Sequence, residues 1–411
     1  MEMLYLAKCG IWGEVPAEYQ RKDPSRVTEF WNAMRTLAVQ TKLEPFVQFG
    51  VKLGNGLDCP KQQYEVWSAE MRKKALGRVM AAGELESAQK DLAEQGIPTA
   101  VLKGLAAASA YRYPELRSGC DIDLYVEEKK EAAVYAWAKA RGCTVRPRVK
   151  GTHHGEISHP VLGLIELHVS LCNADEALVE KAKDKQTVLV HPKKPFVTVK
   201  TAGNSLVTID HTEHLMFLVS HMINHYLHGE ACLRHMTDVN AFFAAYGQQM
   251  EQETLFSDLA KLRYQKFFGM VLLLGNRYLG FSHDEKLLER LLGMSLSQGS
   301  KAADELLADY LAVMTEKEDA LKVYDTYCRQ MIPTGFSAVI YKLRILEKNV
   351  RTAFQLRHKM SWTQMGKIGW QRMRNLFGGG GEIEKPSVET GEEKGAAERR
   401  ISMMKQAGLF D

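Results

Sequence analysis

Apolar residues recur at two different spacings along this chain. From about 68 to 95 they lie three and four residues apart, which predicts a long helix that Gly96 and Pro98 end. The residues before it also favour helix, and their aromatic side chains indicate packing against the next unit. From His211 onward the helical spacing returns and predicts a bundle. Its predicted helices cover 211–228, 233–246, 250–263, 265–279, 284–294, 302–329 and 337–356.

The segment between these helical stretches alternates apolar and polar positions, as strands do. The predicted strands are 99–102, 120–126, 143–149, 152–159 and 162–171, and two helices among them end near 111 and 141. The pattern predicts an α+β fold, in which a mixed sheet with flanking helices precedes an α-helical C-terminal domain. The expected units are an N-terminal helical extension over 1–68, the sheet domain over 69–208, the helical domain over 209–356, and a basic segment, glycine-rich flexible linker and tail over 357–411.

Composition excludes several classes of protein. Of the 411 residues, 45% are hydrophobic and 25% charged, which is ordinary for a globular chain and unlike a disordered, collagen-like or disulfide-scaffold one. The net charge of +4 argues against a dedicated nucleic-acid binder, although it is compatible with a local basic groove. No apolar run reaches the ~18–20 residues of a membrane span. The N-terminus lacks a signal-peptide pattern and the 7 cysteines form no CxxC pair, so we expect reduced thiols and a cytoplasmic protein.

Two aspartates mark the predicted strand 120–126. Asp121 and Asp123 lie two residues apart, so their side chains share one face of the strand. Neighbouring carboxylates repel each other unless they share a proton or a cation, and Mg²⁺ prefers oxygen ligands. Two such ions serve in-line phosphoryl or nucleotidyl displacement. A bare Asp-x-Asp is more often an exposed pair on a solvated strand, so a metal site needs support from other residues.

A later strand offers that support. On the predicted strand 162–171, Glu166 and His168 share one face, and Ile165 and Leu167 share the other. If this strand pairs beside the acidic one with the faces matched, Glu166 becomes a third metal ligand or the base that activates an acceptor hydroxyl. The alternative is an ordinary surface position on a strand.

Three residues upstream are candidates for binding phosphate. Lys103 and Gly104 follow the predicted strand 99–102 and open a helix, where a glycine lets an anion approach the backbone and the helix N-terminus favours it. Arg117, just before the acidic strand, is suited to bidentate contact with a phosphate. The alternatives are a common strand–glycine–helix junction and a loop cation.

Together these motifs resemble the nucleotidyltransferase fold shared with DNA polymerase β. That superfamily places a glycine at a strand–helix turn, Asp-x-Asp on the next strand and a third carboxylate on a later strand. More narrowly, the sequence resembles the uncharacterised nucleotidyltransferase family of bacterial proteins over about 70–280. The matching motifs are Leu102-Lys103-Gly104, Arg117, Asp121-Ile122-Asp123-Leu124 and Ile165-Glu166-Leu167-His168.

The resemblance implies a nucleotidyltransferase-type mixed sheet and a defined reaction. A nucleoside monophosphate would pass from an NTP to an acceptor hydroxyl with Mg²⁺ or Mn²⁺, releasing pyrophosphate, and the acceptor would be a small molecule, a sugar, an RNA or a protein. The implied site residues are, for catalysis and metal binding, Asp121, Asp123 and Glu166, and for nucleotide binding, Lys103, Gly104 and Arg117. The superfamily's Gly-Gly or Gly-Ser turn is Gly104-Leu105 here, which motivates an alternative function as a non-catalytic binding or scaffold protein of the same fold.

Histidines on the predicted helix 211–228 form a separate group. His221 and His225 are four residues apart and share one helix face, and Asp238 follows downstream beside Arg234, in positions that resemble the family. The pair also resembles half of a zincin signature, but Met222 occupies the position of its glutamate. Hydrogen bonding between helices, substrate contact and a bound metal are the three interpretations. A zinc metallohydrolase is therefore the third functional alternative.

Overall fold

The computed structural model describes residues 1–119, 122–148, 154–171, 191–227, 230–315 and 402–409. Asp121, the predicted helix 337–356 and the glycine-rich linker lie outside the described residues. Within the described ranges, no helix combines the length and the apolar character that crossing a membrane requires.

Four helices precede the sheet. They are α1 (Glu2–Trp12), α2 (Val27–Gln40), α3 (Glu44–Leu53) and α4 (Lys61–Glu94). Helix α4 begins after Pro60 and is 34 residues long, or about 50 Å at about 1.5 Å per residue. It ends where Gly96 takes a φ of 72°, so the predicted stop is confirmed and only the predicted start is too late.

Among the described residues, seven strands form one mixed sheet in the order β3-β4-β5-β2-β1-β7-β6. The strands are β1 (Thr99–Val101), β2 (Ile122–Val126), β3 (Thr144–Arg146), β4 (His154–His159), β5 (Gly163–His168), β6 (Val197–Thr201) and β7 (Asn204–Thr208). Helices α5 (Leu105–Ala108) and α6 (Glu131–Ala140) lie among them. Strand β2 pairs with β5 in parallel and with β1 antiparallel, which places β2 in the middle of the sheet.

The antiparallel hairpin of β6 and β7 is an addition that the sequence analysis did not predict. It joins the sheet through a parallel pairing of β7 with β1 at Thr208 and Val101. Part of its signal is visible in the sequence, because Val197 and Val199 alternate with polar residues before Gly203, whose φ is 83°.

The C-terminal half is helical, as predicted. Its helices are α7 (His211–Leu227), α8 (Leu233–Tyr246), α9 (Gln252–Lys261), α10 (Gln265–Leu279), α11 (Glu285–Leu292) and α12 (Leu296–Thr315). The bounds of α8 and α10 equal the predicted ones, because both helices bury a long apolar face. The predicted start at 302 was too late for α12.

The described residues form two large hydrophobic cores and a third, minor cluster that includes Leu102, Tyr125 and Phe217. The larger joins the N-terminal helices to the C-terminal helices, through buried residues such as Leu6, Trp31, Phe267 and Tyr310. The smaller lies under the sheet and includes Leu124. The extension 1–68 therefore shares a core with the helical domain, two units away in the sequence, and it also contacts the sheet domain that follows it, as in the stacked rings of Phe46 and Tyr111.

A segment near the C-terminus also belongs to the larger core. Met403, Met404, Ala407 and Leu409 are buried in the larger core, so this part of the predicted tail is a packed segment. In the described part of the chain, free thiols occur at Cys9, Cys59, Cys143 and Cys232.

Candidate active site

The two acidic strands lie side by side with their faces matched. Strands β2 and β5 pair in parallel, and Asp123 is the register partner of Glu166. Ile122 and Ile165 face the core beneath the sheet, so the alternation of both strands sends the two carboxylates to the opposite face. The arrangement is the one that the alternating pattern predicted for Asp123 and Glu166.

Asp123 is almost completely buried, with 1% of its surface exposed. Its Oδ1 atom lies 2.9 Å from the ammonium nitrogen of Lys103 and 3.0 Å from Nε2 of His168. The Oδ2 atom is also buried and has no hydrogen-bond partner among the described residues. One oxygen of this carboxylate is thus held by two cationic or protonated groups, while the other has an unsatisfied lone pair.

The short distances between these charged groups shift their pKa values. Burial opposes ionisation of Asp123, but the charge of Lys103 and the hydrogen bond from His168 outweigh it and lower the pKa of the carboxyl. Burial alone would lower the pKa of His168, yet its bonds to Asp123 and Glu166 raise it. The hydrogen bond with His168 also lowers the pKa of Glu166. At neutral pH both carboxylates are therefore ionised.

Glu166 is more accessible than Asp123, since 28% of its side chain is exposed. Its Oε2 atom lies 3.4 Å from Nε2 of His168. The ligand atoms of His154, Glu166 and His168 all lie within 4.8 Å of one another, so imidazole nitrogens as well as carboxylates border the site. The alternating pattern predicted His168 on the same strand face as Glu166 but indicated no role for it.

Lys103 and Gly104 lie at the turn after β1. Leu102 donates its backbone N–H to the carbonyl oxygen of Asp123 at 2.9 Å, and this bond fixes the turn beside the acidic strand. Gly104 has a φ of 58° and a ψ of −115°, a conformation that only glycine adopts easily. The helix after it, α5, has only 4 residues where a helix to about 111 was predicted, so an anion there would gain little from a helix dipole.

Arg117 does not face the acidic strands with a free guanidinium. It is buried, and its Nε and Nη2 atoms donate to the two oxygens of Asp238 at 2.9 and 2.7 Å, while Nη1 donates to the Ser118 carbonyl. Tyr111 adds a third bond to the same carboxylate at 2.8 Å. The predicted phosphate contact by Arg117 thus gives way to a bidentate ion pair between the sheet domain and α8, because Asp238 provides the charge that a buried guanidinium requires.

Three histidines gather on the helical side. His221 and His225 lie on α7, as predicted, and His235 joins them from α8. The ligand atoms of the three lie within 4.8 Å of one another. Burial, joined by the positive charge of Lys103, lowers the pKa of all three imidazoles and keeps them neutral. His235 was missed, because only the packing of α7 on α8 brings it to the pair.

The family match covers both the acidic strands and the histidine helices. Residues 28–280 match the model of a family described as uncharacterised nucleotidyltransferase. The solution structure of the antibiotic-resistance factor ANT(2'')-Ia is similar at 11% identity over 47% of this chain and 92% of that one, with a TM-score of 0.30. A complex of a CCA-adding enzyme with CTP is similar at 12% identity over 82% of this chain and 98% of that one, with a TM-score of 0.21. Scores this low add nothing to the family match. No curated protein matches the sequence.

Proposed function

Because the chain belongs to the uncharacterised nucleotidyltransferase family, we propose that it transfers a nucleoside monophosphate from an NTP to an acceptor hydroxyl. The acceptor oxygen bonds to the α-phosphorus, the bond from that phosphorus to the bridging oxygen breaks, and pyrophosphate leaves. The observation that carries the proposal is the register pair of Asp123 and Glu166, whose carboxylates lie on the same face of adjacent parallel strands in the middle of the sheet.

We assign Mg²⁺ or Mn²⁺ to Asp121, Asp123 and Glu166. The described residues fit a hard divalent ion, because Asp123 Oδ2 is a buried acceptor without a partner and Glu166 is an ionised, partly exposed carboxylate on the next strand. Asp121 is assigned from its place in the sequence alone. When bound, the ion would neutralise and orient the phosphates of the nucleotide.

Glu166 is our candidate for the group that accepts the proton of the acceptor hydroxyl. It is ionised and accessible, and the proton would move to a carboxylate oxygen as the new bond to phosphorus forms. His168 is buried and its pKa is raised, so we assign it a positioning role, in which its Nε2–H holds Asp123 and lies beside Glu166. Fixed positions and pre-arranged charge would supply most of the acceleration.

Lys103 and Gly104 remain our candidates for the phosphates. An ammonium has three donors, so the ion pair of Lys103 with Asp123 leaves it able to contact a phosphate oxygen as well. Gly104 presents backbone without a Cβ at the same turn. Arg117 acts at a distance in this proposal, because its ion pair with Asp238 holds α8 against the sheet domain.

The test is transfer of label from each α-labelled NTP, with Mg²⁺ or Mn²⁺, to acceptors in a cell extract. We expect the wild-type chain to label an acceptor, and the Asp123→Asn and Glu166→Gln variants to lose labelling. Glu166→Gln is the safer variant for folding, since Glu166 is partly exposed. Asp258→Asn, which removes a partly exposed carboxylate of the helical domain that pairs with Lys261, is the matched control and should label normally. Full activity of both acidic-site variants would contradict the assignment.

The alternative is a non-catalytic binding or scaffold protein. Gly104-Leu105 in place of the superfamily's turn and the pairing of Lys103 with Asp123 favour it. Equilibrium binding of a non-hydrolysable NTP analogue separates the two functions. An enzyme that lacks only its acceptor binds the analogue more tightly with Mg²⁺ and loses that gain in Glu166→Gln. The scaffold function is supported if the analogue does not bind, or if its affinity changes neither with Mg²⁺ nor in Glu166→Gln.

A further inference from the structure

Helices α7 and α8 bring three imidazoles together where the last turns of α7 meet the first turn of α8. The ring centroids of His221 and His225 are 4.3 Å apart, those of His221 and His235 are 5.4 Å apart, and those of His225 and His235 are 4.8 Å apart. Two of the residues come from one face of α7 and the third from the facing helix. Three nitrogens in this space match the ligand set of a zinc site that keeps its fourth position open.

A second observation points to a ligand. His235 is 7% exposed, and its Nδ1 atom is buried without a hydrogen-bond partner among the described residues. Its other nitrogen, Nε2, lies 3.3 Å from Nη2 of Arg234, which donates to it. An imidazole whose Nε2 accepts a hydrogen bond carries its proton on Nδ1, or gives that position to a metal. A buried donor with no acceptor is costly, and a metal at Nδ1 removes the cost.

The carboxylate of Glu230 lies beside His225, a second member of the histidine group. Oε2 of Glu230 lies 3.2 Å from Nδ1 of His225, an ion-pair distance without hydrogen-bond geometry, and this contact favours Nε2 as the ligating nitrogen of that ring. A carboxylate bound to the outer nitrogen of a ligating histidine fixes the ring and makes it a stronger donor. Glu230 is 69% exposed, so it supplies charge at the solvent side of the group without being buried itself.

Positive charge near the histidines does not forbid a cation there. Lys103 is paired with Asp123 at 2.9 Å. Nε of Arg234 lies 3.9 Å from Asp238, and Glu230 adds a negative charge beside His225. Each nearby cation therefore has a carboxylate close to it, which weakens its repulsion of a bound ion.

We propose that His221, His225 and His235 form a binding site for one divalent transition-metal ion, with Zn²⁺ the ion that best suits three imidazoles and an open position. This site is separate from the acidic strands and does not depend on the proposed transfer reaction. It is also not a zincin site, because Met222 is fully buried in the helical core where that signature requires a glutamate. The ion would tie α8 to α7 next to the nucleotide-binding turn.

The experiment measures metal binding by the full chain without any assay of activity. The chain is stripped with a chelator, dialysed and titrated with Zn²⁺ in excess Mg²⁺ by calorimetry. Co²⁺ absorption reports the ligand field in a parallel titration. We expect about one Zn²⁺ per chain, and a Co²⁺ spectrum of low-symmetry, nitrogen-rich coordination.

Variants locate the ion. His235→Gln and His225→Gln should each weaken Zn²⁺ binding on the order of 100-fold, and Glu230→Gln about tenfold. His211→Gln, on the same helix but outside the group, is the matched control and should bind normally. If His235→Gln fails to fold by circular dichroism, His225→Gln carries the test, because His225 is 29% exposed.

Three results would overturn the proposal. The first is a wild-type chain that binds no Zn²⁺. The second is equal affinity in wild type and in the folded His225→Gln and His235→Gln variants. The third is loss of binding in His154→Gln instead, which would move the ion to the group of His154, Glu166 and His168.

Discussion

The acidic strands and the histidine helices are two ways of bringing ionisable side chains together. In the first, Asp123 and Glu166 meet because two adjacent strands pair in a fixed register, and each group favours the charged form of its partners: the pKa of His168 is raised and the pKa values of the two carboxyls are lowered. In the second, His221, His225 and His235 meet through the packing of two helices, and burial removes charge from all three. The first region is suited to a hard ion with oxygen ligands, and the second to a softer ion with nitrogen ligands.

The largest expected effect concerns the pair that joins the two regions. Replacing Asp238 by Ala leaves Arg117 buried without its carboxylate and removes an acceptor from Tyr111. We expect a loss of about 3–5 kcal/mol in the free energy of unfolding, measured by urea denaturation. The Asp304→Asn control breaks an exposed ion pair with Arg277 and should cost less than about 1 kcal/mol. Equal losses in the two variants would mean that the buried pair does not hold the domains together.

The next prediction separates the two regions functionally. We expect Asp123→Asn to lower kcat/KM for transfer at least about 100-fold, which corresponds to about 2.7 kcal/mol in the transition state. The same variant should bind Zn²⁺ as tightly as wild type, because the histidine group contains none of the acidic-strand residues. Steady-state kinetics and calorimetry on one preparation test both statements. A variant that loses Zn²⁺ along with transfer would show that the two regions form a single site.

A third prediction concerns acid and the neutral histidines of the helical domain. Burial lowers the pKa of His283 to about 4, whereas an unfolded histidine titrates near about 6.5. Between these values the unfolded chain binds the proton and the folded chain does not, so stability falls as the pH falls from about 6.5 to about 4. His283→Gln should reduce the loss of unfolding free energy between pH 7 and pH 5 by about 1–2 kcal/mol in urea titrations. If His283→Gln loses as much unfolding free energy between pH 7 and pH 5 as wild type, a group other than His283 is responsible for the acid sensitivity. The control is His159→Gln, a histidine substitution in the sheet domain.

The smallest effect tests the turn beside the acidic strand. We expect Lys103→Met to raise KM for the NTP about tenfold while changing kcat less, because an ammonium that contacts phosphate in both ground and transition states contributes uniform binding. Lys103→Arg should restore part of the affinity, since it keeps the charge. If Lys103→Met lowers kcat and leaves KM unchanged, Lys103 does not bind phosphate and acts only by holding Asp123, with which it forms an ion pair at 2.9 Å.

Most of the helices and strands could be predicted from the sequence, because the spacing of apolar residues within one element is a local pattern. The helices Leu233–Tyr246 and Gln265–Leu279 have the predicted bounds, and the strand Ile122–Val126 lies within the predicted one. Alternation also paired Asp123 with Glu166, once the two strands proved to be neighbours. Of the two strands in the missed hairpin, Val197–Thr201 alternates, whereas Asn204–Thr208 places Leu206 and Val207 side by side and carries a weaker local signal.

The remaining features depend on contacts between residues far apart in the sequence. Arg117 has a phosphate-binding pattern locally, but Asp238 lies 121 positions away and only the packing of α8 on the sheet domain brings it near. His235 joins His221 and His225 for the same kind of reason. A local pattern gives the chemical type of a side chain, while its partner is set by how the elements pack.

The shared core of the N-terminal and C-terminal helices has a consequence for how the chain folds as it is made. Leu6 and Trp31 are synthesised early, but other members of the same core, such as Phe267 and Tyr310, follow more than 200 residues later. At about 5–20 residues per second, the first helices wait tens of seconds for that core. The sheet domain, whose own core involves residues 85–206, is complete well before then. We therefore expect it to fold first on the ribosome, as a unit inserted into a helical domain whose two halves close around it last.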